Sequence, residues 1–413
     1  MSKTALVLGG TSPHKLLIDK LKGRGYYVIL VDYLDNPPAK PNADEHIKAS
    51  TLDQDIVYSI AKERKADLVI SACIDQANSV CCYVAEKLGL PHPYSYRTSL
   101  EVTNKGLMKR IMENNGIPTS PFMTVFSLDE VVWDSIFFPA VVKPVDCNSS
   151  KGVRKVGSKE DAEAAISKAI QLSRTHQAIV EGYNEGPEIQ VDCLATSSGV
   201  KIMMTRQKQK ILSARSEMAL QSYGSVFPAP LSSGQMFDVQ SIAERIASAF
   251  GLRNTPFFYQ AVITGKGICV LEFAPRVGGG LSYSILKDYG AYDAVEYVID
   301  SYLGLELKAD PCIPTDKYLS SNIVYVRPGI FDHMEGFDAL IGNGLIERAY
   351  LMKSRGDYIN SDLKSSNRVA AFVVTEKDYQ SLLFKSCQAF SSIEAIDIEG
   401  QPMINRSIYP FAQ

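Results

Sequence analysis

Neither sign of charge forms a long run in this chain of 413 residues, whose 43 basic and 46 acidic side chains leave a formal net charge of −3. A basic stripe that could follow a phosphate backbone or an anionic bilayer is missing, so nucleic acid and membrane are not expected partners and the substrate is expected to be small. No stretch approaches the ~18 to 20 apolar residues that cross a bilayer, and Met1-Ser2-Lys3 enters a strand without a signal-peptide pattern. The eight cysteines lack C-x-x-C spacing and lie mostly in apolar runs. They read as buried free thiols of a reducing compartment, which makes a cytoplasmic location the expectation. With five histidines in the chain, no Ser-His-Asp arrangement is evident.

What is present is length enough for two or three domains, each with its own core. The first unit alternates strands and helices. Strands at Thr4 to Gly9, Tyr27 to Val31 and Asp67 to Ser71 are separated by helices at His14 to Gly25 and Asp53 to Arg64, and a helix at Gln76 to Leu88 follows. That alternation predicts right-handed crossovers and a doubly wound parallel sheet over residues 1–92. The glycine turn after strand one and Asp32 after strand two suggest a dinucleotide site. However, Gly9-Gly10-Thr11-Ser12-Pro13-His14 lacks the G-x-G-x-x-G order that brings backbone to a pyrophosphate, so a structural or substrate-side role is expected instead.

Beyond Pro93 the pattern changes. Ser99 to Asn115 reads as one helix carrying Lys105, Lys109 and Arg110, stopped by Asn115-Gly116. Pro139 to Pro144 is an apolar strand holding Lys143. The loop Asp146 to Val153 follows, with Ser149, Ser150, Lys151 and Gly152 able to aim backbone amides and one positive charge at an anion. A solvated hairpin loop would look the same. Glu181 ends one strand and Glu188 begins the next, where carboxylates can accept from a ribose hydroxyl or an exocyclic amine. Residues Arg206 to Ser233 read as a polar connection. An antiparallel hairpin of Phe257 to Val262 and Ile268 to Phe273 would make Gln260 and Glu272 neighbours facing one metal. Pro275 then ends the strand, leaving Glu272 and Arg276 at its edge, with Gly278 and Gly279 just beyond. An acid there can hold a hard cation, and a guanidinium can clamp a carboxylate or phosphoryl oxygen. A surface ion pair is the plain alternative.

In this order and spacing, Lys105, Lys143, the 148–153 loop, Glu181, Glu188, Gln260, Glu272 and Arg276 resemble the motifs of the ATP-grasp superfamily of carboxylate-amine and related ligases, over residues 1 to about 395. The nearest members are the L-amino-acid ligases, which share E-x-A-x-R, followed by carbamoyl-phosphate-synthase-like and biotin-carboxylase-like members. The resemblance implies an α/β chain: a doubly wound domain (1–92), an ATP-grasp domain in two α+β lobes (93–308, mobile lobe about 120–195) and a small α+β C-terminal domain (309–413).

By that resemblance Lys105 and Lys143 bind nucleotide phosphates under a flap containing Ser149, Ser150 and Gly152. Glu181 and the backbone through Tyr183 read adenine, and Glu188 accepts from ribose. Gln260 and Glu272 hold magnesium, or manganese in its place, with ATP. Arg276 and Lys151 are the catalytic side chains. Glu217, Gly278 and Gly279 join Arg276 around the substrate.

The implied reaction activates a small carboxylate as an acyl phosphate and joins it to an amine, often in a homodimer. A bicarbonate-using carboxylation or carbamoylation enzyme and a non-catalytic nucleotide-binding protein are the alternatives. Three departures bear on the site: Gln260 where most members carry an acid, Ala274 where many carry a metal-binding asparagine, and Asn104 where an aspartate often precedes the first lysine.

Overall fold

The computed structural model describes residues 3–148, 150–211, 220–279, 281–290, 292–308, 316–360 and 367–410. In the first unit, strands β1 (Lys3–Leu8), β2 (Tyr26–Asp32), β3 (Glu45–Lys48) and β4 (Leu68–Ile70) form a parallel sheet in the order β3-β2-β1-β4. Helices α1 (Ser12–Gly23), α2 (Gln54–Glu63) and α3 (Asp75–Leu88) alternate with them. The continuous runs Ala5-Leu6-Val7-Leu8 and Val28-Ile29-Leu30-Val31 are buried throughout, as a sheet covered on both faces requires. β3 has no counterpart among the expected elements; its alternating polar residues pair with β2 at the sheet edge.

The crevice at the strand ends is filled. A β-carbon on Gly9, which sits at φ +99°, would lie 2.5 Å from Ile74 Cδ1, and one on Gly10 would lie 2.4 Å from Pro37 Cβ. Asp32 Oδ2 accepts from the Gly10 amide at 2.7 Å, so the acid closes its own turn.

The expected helix 99–115 is two helices, α4 (Tyr96–Thr103) and α5 (Lys105–Asn114). Asn104 between them is extended, and its side-chain oxygen accepts from the amides of Gly106 and Leu107. A short amide side chain that caps the next turn competes with helix continuation. Lys105 therefore opens α5 instead of lying inside a longer helix.

A four-stranded sheet follows, β5 (Phe122–Val125), β6 (Ala140–Pro144), β7 (Arg154–Val156) and β8 (Ala178–Gly182), ordered β5-β8-β6-β7 and covered by α6 (Lys159–Leu172). Ala162, Ala165, Ile166 and Ala169 form the small-residue face that lets α6 sit close to it.

The large sheet begins with β9 (Glu188–Thr196), β10 (Gly199–Lys210) and β11 (Ser222–Phe227). After α7 (Ser233–Ala249) it continues with β12 (Thr255–Thr264) and β13 (Gly267–Ala274). Helices α8 (Ser282–Gly290) and α9 (Ala294–Tyr302) precede β14 (Tyr318–Tyr325), β15 (Gly329–Glu335), α10 (Phe337–Gly342), β16 (Arg348–Leu351), β17 (Tyr358–Ile359), β18 (Arg368–Glu376), α11 (Tyr379–Ser391) and β19 (Glu394–Asp397). Eight strands join in the order β13-β12-β9-β10-β11-β14-β18-β16. This sheet runs across the expected boundary between residues 308 and 309.

The polar connection expected over 206–233 is corrected by the structure, which shows β10 continuing to Lys210 and β11 returning antiparallel beside it. Arg206, Lys208 and Lys210 alternate with glutamines, so strand period places the three cations on one face.

α9 binds the first unit to the rest. Val295, Val298, Ile299 and Tyr302 share a core with Leu17 and Leu21 of α1. Lys20 reaches Asp293 and Glu296 at 2.8 and 2.7 Å, and Arg24 reaches Asp300 at 2.6 Å.

One buried group makes the first unit sensitive to pH. His14 has no exposed surface and is held by Thr11 Oγ1 at 2.8 Å and Ser71 Oγ at 3.2 Å. Burial lowers its pKa from 6.5 to about 4. The unfolded chain therefore takes up a proton that the folded one refuses, and stability falls as pH drops from about 6.5 to about 4. We expect a loss of roughly 3 kcal/mol across that window. It should appear as a lower urea midpoint in acid and shrink in a His14→Gln variant.

Candidate active site

β9 shows how the sheet builds a cleft. Ile189, Val191 and Cys193 are buried against α7, while Glu188, Gln190 and Asp192 alternate with them on the opposite face. The register extends that polar face sideways, setting Gln190 opposite Gln260 on β12 and Gln260 opposite Glu272 on β13. A shift between Gln260 and Ala261 breaks the simple ladder there, so the expected neighbours do meet, at a β-bulge. Between this face and the four-stranded sheet lies an open cleft of about 1400 Å³ including its mouth.

At the floor, Glu181 of β8 lies between two lysines. Lys109 Nζ of α5 is 2.8 Å from Oε2, and Lys143 Nζ of β6 is 2.8 Å from Oε1. Lys109 also donates to Thr119 Oγ1 at 2.7 Å, which donates to the Val270 carbonyl at 2.9 Å. Glu181 and Lys109 are almost wholly buried. Burial alone would raise the Glu181 pKa, but the two lysines prevail and hold it down to about 2. Lys143 is likewise opposed by burial, yet Glu181 and Glu272 keep its pKa raised and its charge intact. The carboxylate expected to read an exocyclic amine is thus already engaged. The Gly182 and Tyr183 segment still lines the cleft, with Lys155 Nζ 3.7 Å above the Tyr183 ring.

Glu188 is similarly occupied, paired with both Lys208 and Lys210. Burial raises its pKa, the lysines outweigh that, and the result is again about 2. Lys208 also donates to Gln260 Oε1 at 3.0 Å. Lys105 Nζ donates to the Cys147 carbonyl at 2.7 Å and stands 4.0 Å from Glu272 Oε2. In the turn between β8 and β9, Gly186 at φ +142° would place a β-carbon 2.0 Å from the Ile263 carbonyl oxygen, so only glycine lets that turn pack on β12.

Arg276 meets a partner from the first unit. Its Nε and Nη2 donate to the two carboxylate oxygens of Asp75 at 2.5 and 2.8 Å, Nη1 donates to the Val277 carbonyl at 2.8 Å, and the guanidinium lies 5.0 Å from the Phe258 ring centre.

The structure therefore gathers Lys105, Lys143, Ser150, Glu181, Tyr183, Glu188, Gln260, Glu272 and Arg276 around one cleft. Lys151 and Gly152 do not line it: Lys151 is exposed, and Gly152 turns at φ +75° against Leu172 and Pro144. Gly278 and Gly279 also lie outside the lining. A β-carbon on Gly278 would sit 3.1 Å from both Arg206 Nη2 and Ser282 Oγ. Ser149 and Glu217 lie outside the described residues.

Sequence reasoning gave no site role to Asp75, Lys109, Lys208 or Lys210. The two β10 lysines were detectable from the period-two alternation of Arg206-Gln207-Lys208-Gln209-Lys210. Lys109 lies one helical turn after Lys105, which is a weaker signal. Asp75 is 201 positions from Arg276 and had no local signal.

A cleft between two sheets, with lysines along one wall and a carboxylate and an amide oxygen on neighbouring strands, is the arrangement of an ATP-grasp domain. Residues 136–284 match the ATP-grasp domain family, and the chain carries that domain. Among its relatives, the formate-dependent phosphoribosylglycinamide formyltransferase of Burkholderia pseudomallei is 28% identical over 281 residues, which is 66% of this chain and 68% of that protein. The L-amino acid ligase of Bacillus licheniformis superposes with a TM-score of 0.79 at 19% identity, covering 96% of this chain and 98% of that one. The biotin carboxylase domain of Hydrogenobacter thermophilus 2-oxoglutarate carboxylase, solved with MgADP, ADP and bicarbonate, gives 0.73 at 17% identity over 98% and 91%.

The buried triad has a measurable consequence. Glu181→Gln would leave Lys109 and Lys143 without their counter-ion, and we expect a loss of about 3–5 kcal/mol in denaturant unfolding.

Proposed function

We propose that this chain activates a small-molecule carboxylate with ATP as an acyl phosphate and joins it to an amine, releasing ADP and phosphate. The observation that carries the reading is the convergence of Glu272, Gln260, Lys105, Lys143 and Arg276 on one cleft. In this reading Lys105 and Lys143 hold the nucleotide phosphates, and Ser149, Ser150, Lys151 and Gly152 form the loop above them. With Glu181 committed to Lys109 and Lys143, adenine is met by the Gly182 and Tyr183 backbone. Glu188 faces the ribose from between its two lysines. Arg276 takes the substrate carboxylate, the tight approach at Gly278 and the open space at Gly279 border it, and Glu217 is a proposed further contact.

The donor set fits magnesium. Glu272 and Gln260 would hold the ion through oxygen, the ligand type a hard divalent cation takes; among the described residues no cluster of three His, Cys, Asp or Glu side chains is present, so the nucleotide phosphates would have to supply further oxygens. When bound, the ion neutralises charge on the phosphates and helps align them for in-line transfer. Lys208 already donates to the Gln260 oxygen, so Glu272, the charged member of the pair, would be the principal protein ligand. The chain itself positions the reactants and offsets charge, with no protein nucleophile required. We further propose a cytoplasmic homodimer; no helix among the described residues is long and apolar enough to cross a membrane.

The test is an ADP-release screen across carboxylates, including formate and bicarbonate, each with and without an amine. Release that needs both a carboxylate and an amine supports the reading; bicarbonate dependence without an amine overturns it. Glu272→Ala and Arg276→Ala should each lower turnover by ~10²–10³-fold with the fold retained. Lys143→Ala should instead raise the KM for ATP.

A further inference from the structure

Arg276 has three of its five N–H groups engaged within the chain, two of them by Asp75. Asp75 stands in the first turn of α3, lines the cleft, and is the acid that the first unit contributes to it. Its neighbour Gln76 anchors the same helix end to the opposite wall. Gln76 Nε2 donates to the Asp146 carbonyl at 3.1 Å, and Asn148 Nδ2 donates to Gln76 Oε1 at 2.5 Å. Asp75 is thus held at the point where the phosphate-side loop and the substrate arginine meet.

Asp75 fills the Nε/Nη2 edge of Arg276, and a substrate carboxylate or acyl phosphate that docks side-on at that edge displaces it. Once the arginine turns to that anion, Asp75, only 16% exposed in its side chain, is left as a largely buried carboxylate with no cation. That state is unfavourable until another cation arrives. The cation the reaction supplies is the second substrate, since an aliphatic amine is an ammonium at neutral pH.

We propose that Asp75 is the amine-docking carboxylate of this site, exchanging Arg276 for the incoming ammonium after the carboxylate has been bound and activated. This rests on the ligase reading above. Docked there, the ammonium gives one proton to Asp75, and the freed nitrogen lone pair attacks the acyl carbon. The C–N bond forms, the C–O bond to phosphate breaks, and the departing phosphate takes the electron pair and the second proton. Asp75 returns its proton to solvent as it pairs again with Arg276.

The experiment compares two nucleophiles on the full chain with ATP and magnesium. Formate, acetate and alanine serve as carboxylates. Methylamine and glycine serve as ammonium nucleophiles, and hydroxylamine as one that is uncharged at neutral pH. Hydroxylamine needs neither a carboxylate to dock on nor a strong base to free its lone pair. Asp75→Asn should therefore lower the ratio of amide to hydroxamate formed by tenfold or more, and Asp75→Glu should restore part of it. A purely structural contact, or a role confined to the carboxylate substrate, would lower both products by one factor and leave the ratio unchanged, which overturns the proposal alone. Wild-type hydroxamate without amide from either ammonium also overturns it. Absence of hydroxamate from every carboxylate in the wild type overturns the ligase reading, and this inference with it.

Discussion

The buried contact of Lys109, Glu181 and Lys143 joins three elements that must agree for the cleft to exist. Lys109 rises from α5, whose Met108 and Met112 pack into the core under the large sheet, while Glu181 and Lys143 belong to adjacent strands of the smaller sheet. One carboxylate between two ammonium groups leaves a single net positive charge in a dry place. Such a group is costly unless each partner is held at contact distance, so the triad ties the smaller sheet to the base at one separation. Lys109 also alters the chemistry of Lys143, because it shares Glu181 and leaves Lys143 with charge to direct at a polyanion.

The same pattern of acids held by basic side chains recurs along the wall. Glu188 with Lys208 and Lys210, and Asp75 with Arg276, make a site whose charges are already paired before any ligand enters. A ligand that binds there exchanges partners instead of filling bare positions, and exchange between equal charges avoids exposing an isolated ion in a low-dielectric cleft. The neutral Gln260 and Ala274 fit this economy of charge. With a neutral amide at Gln260 in place of an acid, Glu272 is not crowded by like charge, and Lys208 can reach across the sheet to Gln260.

Much of the fold was legible because its signals are local. Apolar runs such as Ala5 to Leu8 mark a sheet buried on both faces. Alternation in Glu188-Ile189-Gln190-Val191-Asp192 marks a sheet with one polar face, and the turn at Thr264 to Gly267 set Gln260 beside Glu272. The failures were equally physical. The helix expected over 99–115 breaks at Asn104 because its side chain caps α5, a competition that composition and periodicity do not reveal. The connection expected over 206–233 is strand through Lys210 because cross-strand pairing, with β9 as far as Gln207 and with β11 through Lys210, overrides its polar composition.

By itself the sequence determined the order of lysines, acids and arginine that marks the ATP-grasp class, the parallel first unit, and the hairpin that pairs Gln260 with Glu272. These depend on spacing within one or two elements, where backbone period dictates which side chains share a face. Only the tertiary structure decided which charges neutralise one another: Glu181 with Lys109 and Lys143, Glu188 with Lys208 and Lys210, and Arg276 with Asp75 across 201 positions. Ion pairing depends on distance and burial, and no local pattern encodes a meeting between residues brought together only when α9 docks the first unit against the large sheet.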